Sequence, residues 1–319
     1  MTAPDDRSTT AERLRSDVEA LCAVRDRRVG SPGHDAARAY LSQRYAAIGL
    51  RPYGDTYELP YAGGGINFTN LLAVAPAKDA AANDAAPLLI AAHYDTVADT
   101  PGADDNAAAI AITLEVARRL TRQPAARPVL IAQFDAEEPP YFHAHQARTP
   151  IHAAIVLDLV GHAVPVPGIE QAVFMTGMES DPALERTVTE LEPIDGLSLV
   201  TALNRYVGDL SDHHTFRLGQ VPYLFLSCGR WPHYHAPTDT PDLLDWPKCA
   251  AMTDLVEALT RDVTTRTRDG PWEGFDTTAT DIATMRAALA PLLDGYGIAL
   301  ASRRDIERVV ALLLGREML

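Results

Sequence analysis

The segment AAHYDTVADTPGADDN, residues 91–106, gathers side chains that could bind a metal ion. His93 and Asp95 end an apolar run, and the pair Asp104 and Asp105 follows a proline–glycine turn. Carboxylates that crowd together repel one another unless a cation neutralises them, and an imidazole offers that cation a nitrogen ligand. The residue types in this segment therefore favour a metal site.

Further acidic residues follow two other apolar runs. Glu137 and Glu138 end the run PVLIAQFDAEE, and Asp158 lies near the end of AAIVLDLVG. In an open α/β sheet, the groups that bind ligands collect at the carboxyl ends of the strands. Taken singly, a strand-end histidine or an acidic pair ahead of a helix is more often a solvated or capping residue. Their shared position on three strands is what favours a metal centre.

The elements that must position these residues are typical of an α/β fold. Five apolar runs have the length and continuous apolarity of strands buried on both faces. They lie at residues 69–76, 87–95, 128–138, 153–161 and 221–228. The segment NAAAIAITLEVARRL is long enough for a crossover helix, and helices are also predicted from about residue 10 and between Ser31 and Gly49. We predict a mostly parallel central sheet flanked by helices.

The composition changes after about residue 265, where a polar, turn-rich stretch precedes two segments with helical apolar spacing. We predict a catalytic domain over residues 1–265, with about the first ten residues disordered, and a C-terminal helical extension over 266–319. The sequence leaves open whether this extension is a lid, a dimerisation element or a separate appendage.

The overall composition excludes several classes of partner. Lys and Arg total 28 against 43 Asp and Glu, which gives a net charge of −15 and disfavours nucleic acid and anionic membranes. No apolar stretch approaches the roughly 18 residues of a membrane span, and the N-terminal residues lack a signal-peptide pattern. Three cysteines without CxxC spacing suit reduced thiols. These features predict a cytoplasmic protein whose metal ligands are not cysteines.

Six motifs occur in a recognisable order along the chain. They are HYD at 93–95, PGADDN at 101–106, EE at 137–138, LDLVG at 157–161, SDHHTF at 211–216 and YHAPTDT at 234–240. In type and order they resemble the motifs of the M28 zinc aminopeptidases, over roughly residues 25–262. The resemblance implies a zinc-exopeptidase-like fold with three αβα layers.

The resemblance also implies two Zn²⁺ ions per chain. Asp105 would bridge the two ions, His93 and Asp158 would complete one site, and Glu138 and His235 would complete the other. Sites with such ligands also accept Co²⁺ or Mn²⁺, and the order of affinities alone does not decide which metal is bound.

The same resemblance assigns roles to three further residues. Glu137 would be the general base, Asp95 would orient the His93 ring by accepting its free N–H, and Tyr234 would lie against the oxyanion. Zinc lowers the pKa of a bound water to about 7, so a nearby carboxylate can take its proton at neutral pH. The predicted function is an aminopeptidase that acts on peptides or small amides without a covalent intermediate.

Two departures from the family pattern keep alternatives open. The segment PPYFHAHQARTP after Glu138 replaces a longer connection that borders the substrate pocket in relatives, and the C-terminal extension is not required by the family. A glutaminyl cyclase with a single zinc, another amide hydrolase and a non-catalytic binding protein all remain possible on this scaffold. The absence of GxSxG and GxGxxG motifs disfavours a serine nucleophile and a nucleotide site. Substrate preference and oligomeric state are not determined.

Overall fold

A computed structural model describes residues 6–63, 65–136, 147–270, 272 and 275–314. The helices are α1 (Arg7–Leu21), α2 (Pro32–Ile48), α3 (Ala108–Arg122), α4 (Pro182–Thr189), α5 (Asn204–Val207), α6 (His213–Leu218), α7 (Trp246–Val263), α8 (Thr278–Ala288), α9 (Ala290–Tyr296) and α10 (Arg303–Leu314). The strands are β1 (Arg51–Pro52), β2 (Glu58–Gly63), β3 (Ile66–Ala75), β4 (Leu88–His93), β5 (Val129–Phe134), β6 (Ala153–Leu157), β7 (Ala172–Thr176), β8 (Ser198–Thr201) and β9 (Tyr223–Ser227). Short helical turns lie at Ala80–Asp84, Ala103–Ala107, Met178–Ser180 and Pro241–Leu243.

The strands form one mixed sheet in the order β1-β3-β5-β4-β6-β9-β7-β8, with β2 paired to β3. The centre is parallel, because β4 pairs in parallel with β5 and β6, and β6 pairs in parallel with β9. The edges add antiparallel pairs, β1, β2 and β5 with β3, and β7 with β9. The predicted α/β fold, a mostly parallel sheet flanked by helices with C-terminal helices, is confirmed.

The central strands follow directly from their sequences. Every residue of β4, β5 and β6 is buried, as expected for continuous apolar runs covered on both faces. Helix α3 makes the crossover between β4 and β5, whose last residues His93 and Phe134 are register partners. The carboxyl ends of these strands therefore lie side by side at one edge of the sheet.

Four strands were not predicted, and each lacks a long apolar run. Strands β1 and β2 are mostly exposed, and the buried strand β7 has only five residues within a turn-rich region. Strand β8 has four residues. Short strands of this kind are fixed by pairing with neighbours more than by their own pattern.

Side-chain caps set the ends of the first two helices. Helix α1 begins at Arg7, earlier than the predicted start near residue 10, because the Asp6 carboxylate accepts a hydrogen bond from the Ser8 amide at 3.2 Å. In α2 the Ser31 hydroxyl accepts from the His34 amide, and Gly49 ends the helix with φ of +86°. The glycine adopts this left-handed conformation without the Cβ clash of other residues.

Three clusters of buried apolar residues pack against the sheet in the described part of the chain, and two of them involve α1 and α7 or the C-terminal helices. The first lies among the sheet, α1, α2, α3 and α7. The second joins β7 and β8 to α8, α9 and α10, and includes Phe174, Val200, Met285, Val309 and Leu313. The C-terminal helices thus share a core with the sheet. Among the helices that the structure describes, none is long and apolar enough to cross a membrane.

Candidate metal centre

Three predicted ligands converge at the carboxyl edge of the sheet. His93 is the last residue of β4, Asp158 directly follows β6, and Asp105 lies in the turn that precedes α3. One donor atom from each residue lies within 4.8 Å of the other two, and all three side chains are buried. The distances from His93 Nε2 are 3.1 Å to Asp105 Oδ1 and 3.7 Å to Asp158 Oδ1.

The two carboxylate oxygens of Asp105 face two different histidines. Oδ1 faces His93, and Oδ2 lies 3.2 Å from Nε2 of His235. His235 belongs to the loop between β9 and α7, has φ of +54°, and its side chain is 45% exposed. A carboxylate that offers one oxygen to each of two sites has the arrangement that a bridging ligand needs.

The electrostatics of the cluster fit a cation. Burial alone would raise the pKa of Asp105, but hydrogen bonds and charges from His235 and His93 outweigh it and hold the pKa below its usual range. Burial raises the pKa of Asp158, and the charge of Asp105 adds to this effect against the opposing contribution of His93. Oδ1 of Asp158 is buried and has no hydrogen-bond partner in the described part of the chain. One nitrogen and two carboxylate donors in this setting suit zinc.

The two adjacent glutamates of the predicted site, Glu137 and Glu138, lie outside the described residues. The structure therefore shows the site up to Ala136, two residues beyond the end of β5. The amide of Ala136 donates a 2.9 Å hydrogen bond to Oδ1 of Asp95. The strand end that leads to the glutamates is thereby tied to the segment that follows His93.

Asp95 contacts the His93 ring mainly through its main chain. Nδ1 of His93 lies 3.2 Å from the Asp95 carbonyl oxygen and 3.5 Å from the carboxylate. Because a carbonyl only accepts, this contact places the proton on Nδ1 and leaves the Nε2 lone pair facing the centre. The sequence predicted this orientation through the carboxylate, whose closer partner in the structure is the amide of Ala136.

Tyr234 lies beside the centre in a stack of side chains. Its ring stacks on the His235 ring at a centroid distance of 3.8 Å, and the guanidinium of Arg230 lies 5.3 Å from the Tyr234 ring centroid. Tyr234 and Asp158 both line one pocket. The phenol is thus next to His235 and also borders the space where a ligand could bind.

The pocket beside the centre is partly open to solvent and has a cavity volume of about 50 Å³. Its walls are largely apolar and include Leu159, Phe174, Val207, Leu210 and Phe225. Phe174 and Phe225 lie on the antiparallel pair β7–β9, Leu159 follows β6, and Val207 and Leu210 come from the end of α5 and the segment after it. The pocket can accept an apolar side chain from a ligand held at the centre.

Asp104, the neighbour of Asp105, has a structural role that sequence reasoning missed. Its side chain is fully buried, with Oδ1 accepting from the Gly161 amide and Oδ2 paired with Nδ1 of His162, both at 2.7 Å. The His162 ring stacks on Trp231 at 4.7 Å. The pair Asp104 and Asp105 therefore faces in two directions, one residue toward the protein interior and the other toward the centre.

Two more residues that support the site were not identified from the sequence. The buried guanidinium of Arg27 donates to the main-chain carbonyls of Tyr94, Pro101 and Gly102 at 2.5–3.0 Å. Asp239 accepts hydrogen bonds from the turn that carries Asp105, and burial, helped by the charge of Asp104, raises its pKa to about 7. The DT pair of YHAPTDT was the available signal for Asp239, whereas Arg27 lies in a loop without a motif.

Known proteins resemble this chain in sequence and in structure. Residues 70–260 match the profile of peptidase family M28. The uncharacterized protein YfbL of Escherichia coli (strain K12) is 27% identical over 259 residues, which cover 69% of this chain and 77% of YfbL. Aminopeptidase YwaD of Bacillus subtilis (strain 168) is 28% identical over 185 residues, which cover 53% of this chain but only 39% of YwaD.

Solved structures share the fold at lower identity. LapB from Legionella pneumophila superposes with a TM-score of 0.66 and 20% identity, covering 83% of this chain and 77% of LapB. A Zn-dependent exopeptidase from Parabacteroides distasonis ATCC 8503 superposes with a TM-score of 0.64 and 16% identity, and the match covers 80% of this chain and 98% of the exopeptidase. The glutaminyl cyclase of Porphyromonas gingivalis superposes with a TM-score of 0.61 and 18% identity, and the match covers 78% of this chain and 96% of the cyclase.

Proposed function

Because the chain belongs to peptidase family M28, a family of metallopeptidases, we propose that it is a dizinc aminopeptidase that removes N-terminal residues from peptides. The family makes the chain a metallopeptidase and implies zinc. The number of ions, the general base and the preferred substrate are the parts that we propose here. The aminopeptidase relative YwaD supports the type of cleavage.

The observation that carries the proposal is the environment of Asp105. Its Oδ1 lies 3.1 Å from Nε2 of His93, and its Oδ2 lies 3.2 Å from Nε2 of His235. A carboxylate that served a single ion would not need a histidine at each oxygen. This arrangement supports two ion positions that share Asp105.

The proposed ligands divide into two sets around that bridge. His93, Asp105 and Asp158 would hold one zinc ion, and Asp105, His235 and Glu138 would hold the other. When bound, zinc lowers the pKa of a water molecule to about 7 and polarises a carbonyl group. Cobalt or manganese would fit the same nitrogen and oxygen donors.

Glu137 and Tyr234 would act on the peptide bond itself. The carboxylate of Glu137 would accept a proton from the attacking water and deliver it to the leaving amine. The Tyr234 hydroxyl, beside His235 and at the pocket wall, would donate a hydrogen bond to the carbonyl oxygen as negative charge develops on it. The reaction would proceed by direct attack of water, without an acyl-enzyme.

The pocket beside Asp158 supports a preference for an apolar N-terminal residue. Phe174, Val207, Leu210 and Phe225 line it, so an aliphatic or aromatic side chain would bury apolar surface there. A basic side chain would lose hydration against the apolar walls and would meet the guanidinium of Arg230, which also lines the pocket. We therefore expect peptides that begin with leucine or phenylalanine to be cleaved faster than those that begin with lysine.

The proposal is tested with zinc-loaded protein and matched peptides that carry a free or an acetylated amino terminus. We expect cleavage of the free-amino peptides only, with a rate that falls by several orders of magnitude in Glu137→Gln. Exposed Glu170 provides a matched control, because Glu170→Gln changes the same functional group away from the centre. Cleavage of both peptide forms, or full activity in Glu137→Gln, would contradict the proposal.

The second candidate is a glutaminyl-cyclase-like acyl transfer with one zinc ion. The cluster of His93, Asp105 and Asp158 offers three buried donors and could bind one ion by itself, whereas His235 is 45% exposed. One zinc per chain, and release of ammonia from peptides that begin with glutamine without hydrolysis of any peptide, would favour this candidate. Two zinc ions with no turnover would instead indicate another amide hydrolase or a binding protein.

A further inference from the structure

Asp239 connects the loop that carries His235 to the turn that carries Asp105. Its Oδ1 accepts a hydrogen bond from the Asp104 amide at 2.9 Å, and its Oδ2 accepts from the Asp105 amide at 3.1 Å. Its main-chain carbonyl accepts from the Ala103 amide at 3.2 Å. The Asp239 residue is completely buried, so these three bonds form out of contact with solvent.

These contacts are specific for a carboxylate. Two consecutive amides point at the two oxygens of one side chain, and a group that only accepts satisfies both. A buried carboxylate that lost these donors would be left without partners, so the two hydrogen bonds stabilise the contact between the loop and the turn. The pairing spans 134 residues of sequence between Asp105 and Asp239.

The loop around His235 depends on this anchor more than the other ligand segments do. His93 and Asp158 are held by β4 and β6, which pair with each other at the centre of the sheet. His235 lies in irregular backbone, and a short turn, closed by a 3.0 Å bond from the Asp239 amide to the Ala236 carbonyl, joins it to Asp239. The position of the His235 ring therefore follows that of Asp239.

We propose that Asp239 is a positioning residue that fixes His235 relative to Oδ2 of Asp105, and thereby determines the affinity of the second ion position. This inference rests on the two-ion centre of the proposed function. Removal of the anchor frees the loop of His235 but leaves His93 and Asp158 on their strands. The first ion position is retained, and the second is weakened selectively.

The test compares Asp239→Asn with Asp242→Asn. Asparagine keeps the shape of the side chain but places an NH₂ group against a backbone N–H, whereas Asp242 is an exposed aspartate three residues further along. Zinc is titrated against a competing chelator, and Co²⁺ absorption spectra report the geometry of each position. We expect Asp239→Asn to bind the first ion within about threefold of the wild type and the second at least about tenfold more weakly, with Asp242→Asn unchanged.

If Asp239 contributed only to overall stability, Asp239→Asn would lower the zinc affinities of the first and second positions equally, or would change neither. Either result overturns the proposal. Asp239→Glu, which restores an acceptor at the same position, should recover part of the affinity for the second ion. Two ions bound by Asp239→Asn with wild-type affinities would also overturn it.

A second measurement uses the metal-free protein and does not depend on peptide cleavage. Amide hydrogen exchange of the wild type should show strong protection of the Asp104 and Asp105 amides. In Asp239→Asn, exchange should accelerate together at these amides and in the loop 233–238. If Asp239→Asn does not fold, the exchange rates of the wild type test the inference. Exchange of the Asp104 and Asp105 amides in the wild type as fast as that of exposed loops would overturn it. If the wild type cleaves no peptide, the aminopeptidase activity is refuted. The zinc affinities and the amide exchange rates still test the role of Asp239, because neither depends on peptide cleavage.

Discussion

Lys248 provides a quantitative test of how the region behind the metal centre is held. Its side chain is 1% exposed, and Nζ donates hydrogen bonds to the main-chain carbonyls of His162, Glu170 and Ala172 at 2.9–3.0 Å. These carbonyls belong to the segment that leads from β6 to β7. The ammonium therefore holds together the backbone next to the pair of His162 and Asp104.

The expected cost of Lys248→Met follows from these contacts. Methionine keeps most of the apolar stem but removes three hydrogen bonds from a charged donor, each contributing about 1.5–3 kcal/mol. The wild type also bears a desolvation cost of several kcal/mol for burying the ammonium, which the variant avoids. The two effects partly cancel, and we expect the free energy of unfolding to fall by about 3 kcal/mol, or Tm by about 6 °C.

Urea unfolding followed by tryptophan fluorescence measures this change, with Lys78→Met as the control because Lys78 is exposed. The first-ion affinity should change by only a few-fold, since His93 and Asp158 are held by strands. A free energy of unfolding for Lys248→Met within about 0.5 kcal/mol of the wild type would refute the reasoning that these three bonds outweigh the burial of the charge.

Three further predictions concern the pocket, a buried histidine and the C-terminal helices. Val207→Trp should fill part of the apolar pocket and raise KM for peptides that begin with phenylalanine more than for those that begin with alanine, whereas equal effects on both would count against the assigned pocket. Burial lowers the pKa of His213 to about 4, below the roughly 6.5 of the unfolded chain, so the folded state binds fewer protons between these values. Stability should fall by about 3 kcal/mol as pH decreases from about 6.5 to 4, and an unfolding series that shows the same slope for His213→Gln would contradict this origin. Truncation after residue 265 should expose Phe174 and its apolar neighbours and lower Tm. Thermal unfolding and solution mass would measure the effect of the truncation. An unchanged Tm would contradict this prediction, because it would show that residues 1–265 fold independently.

Much of the fold could be predicted because its central strands are continuous apolar runs. Strands β4, β5 and β6 are buried on both faces, so their sequences carry a strong local signal. The same runs end in polar residues, and parallel strands bring such ends to one edge. The approach of His93 to Asp158 was therefore predictable from the sequence, whereas strands β7 and β8, which have only five and four residues, were not.

Only the tertiary structure decided which way neighbouring polar side chains face. Asp104 and Asp105 are adjacent and chemically identical, yet one binds His162 in the interior and the other faces two histidines at the centre. Asp239 likewise acts on a turn 134 residues away. Sequence determines residue type and local periodicity, but the direction of a side chain in an irregular turn depends on long-range packing and on burial of every polar group with a partner. For that reason the sequence and its family resemblance predicted a set of ligands, and the folded chain determined how His93, Asp105, Asp158 and His235 are held.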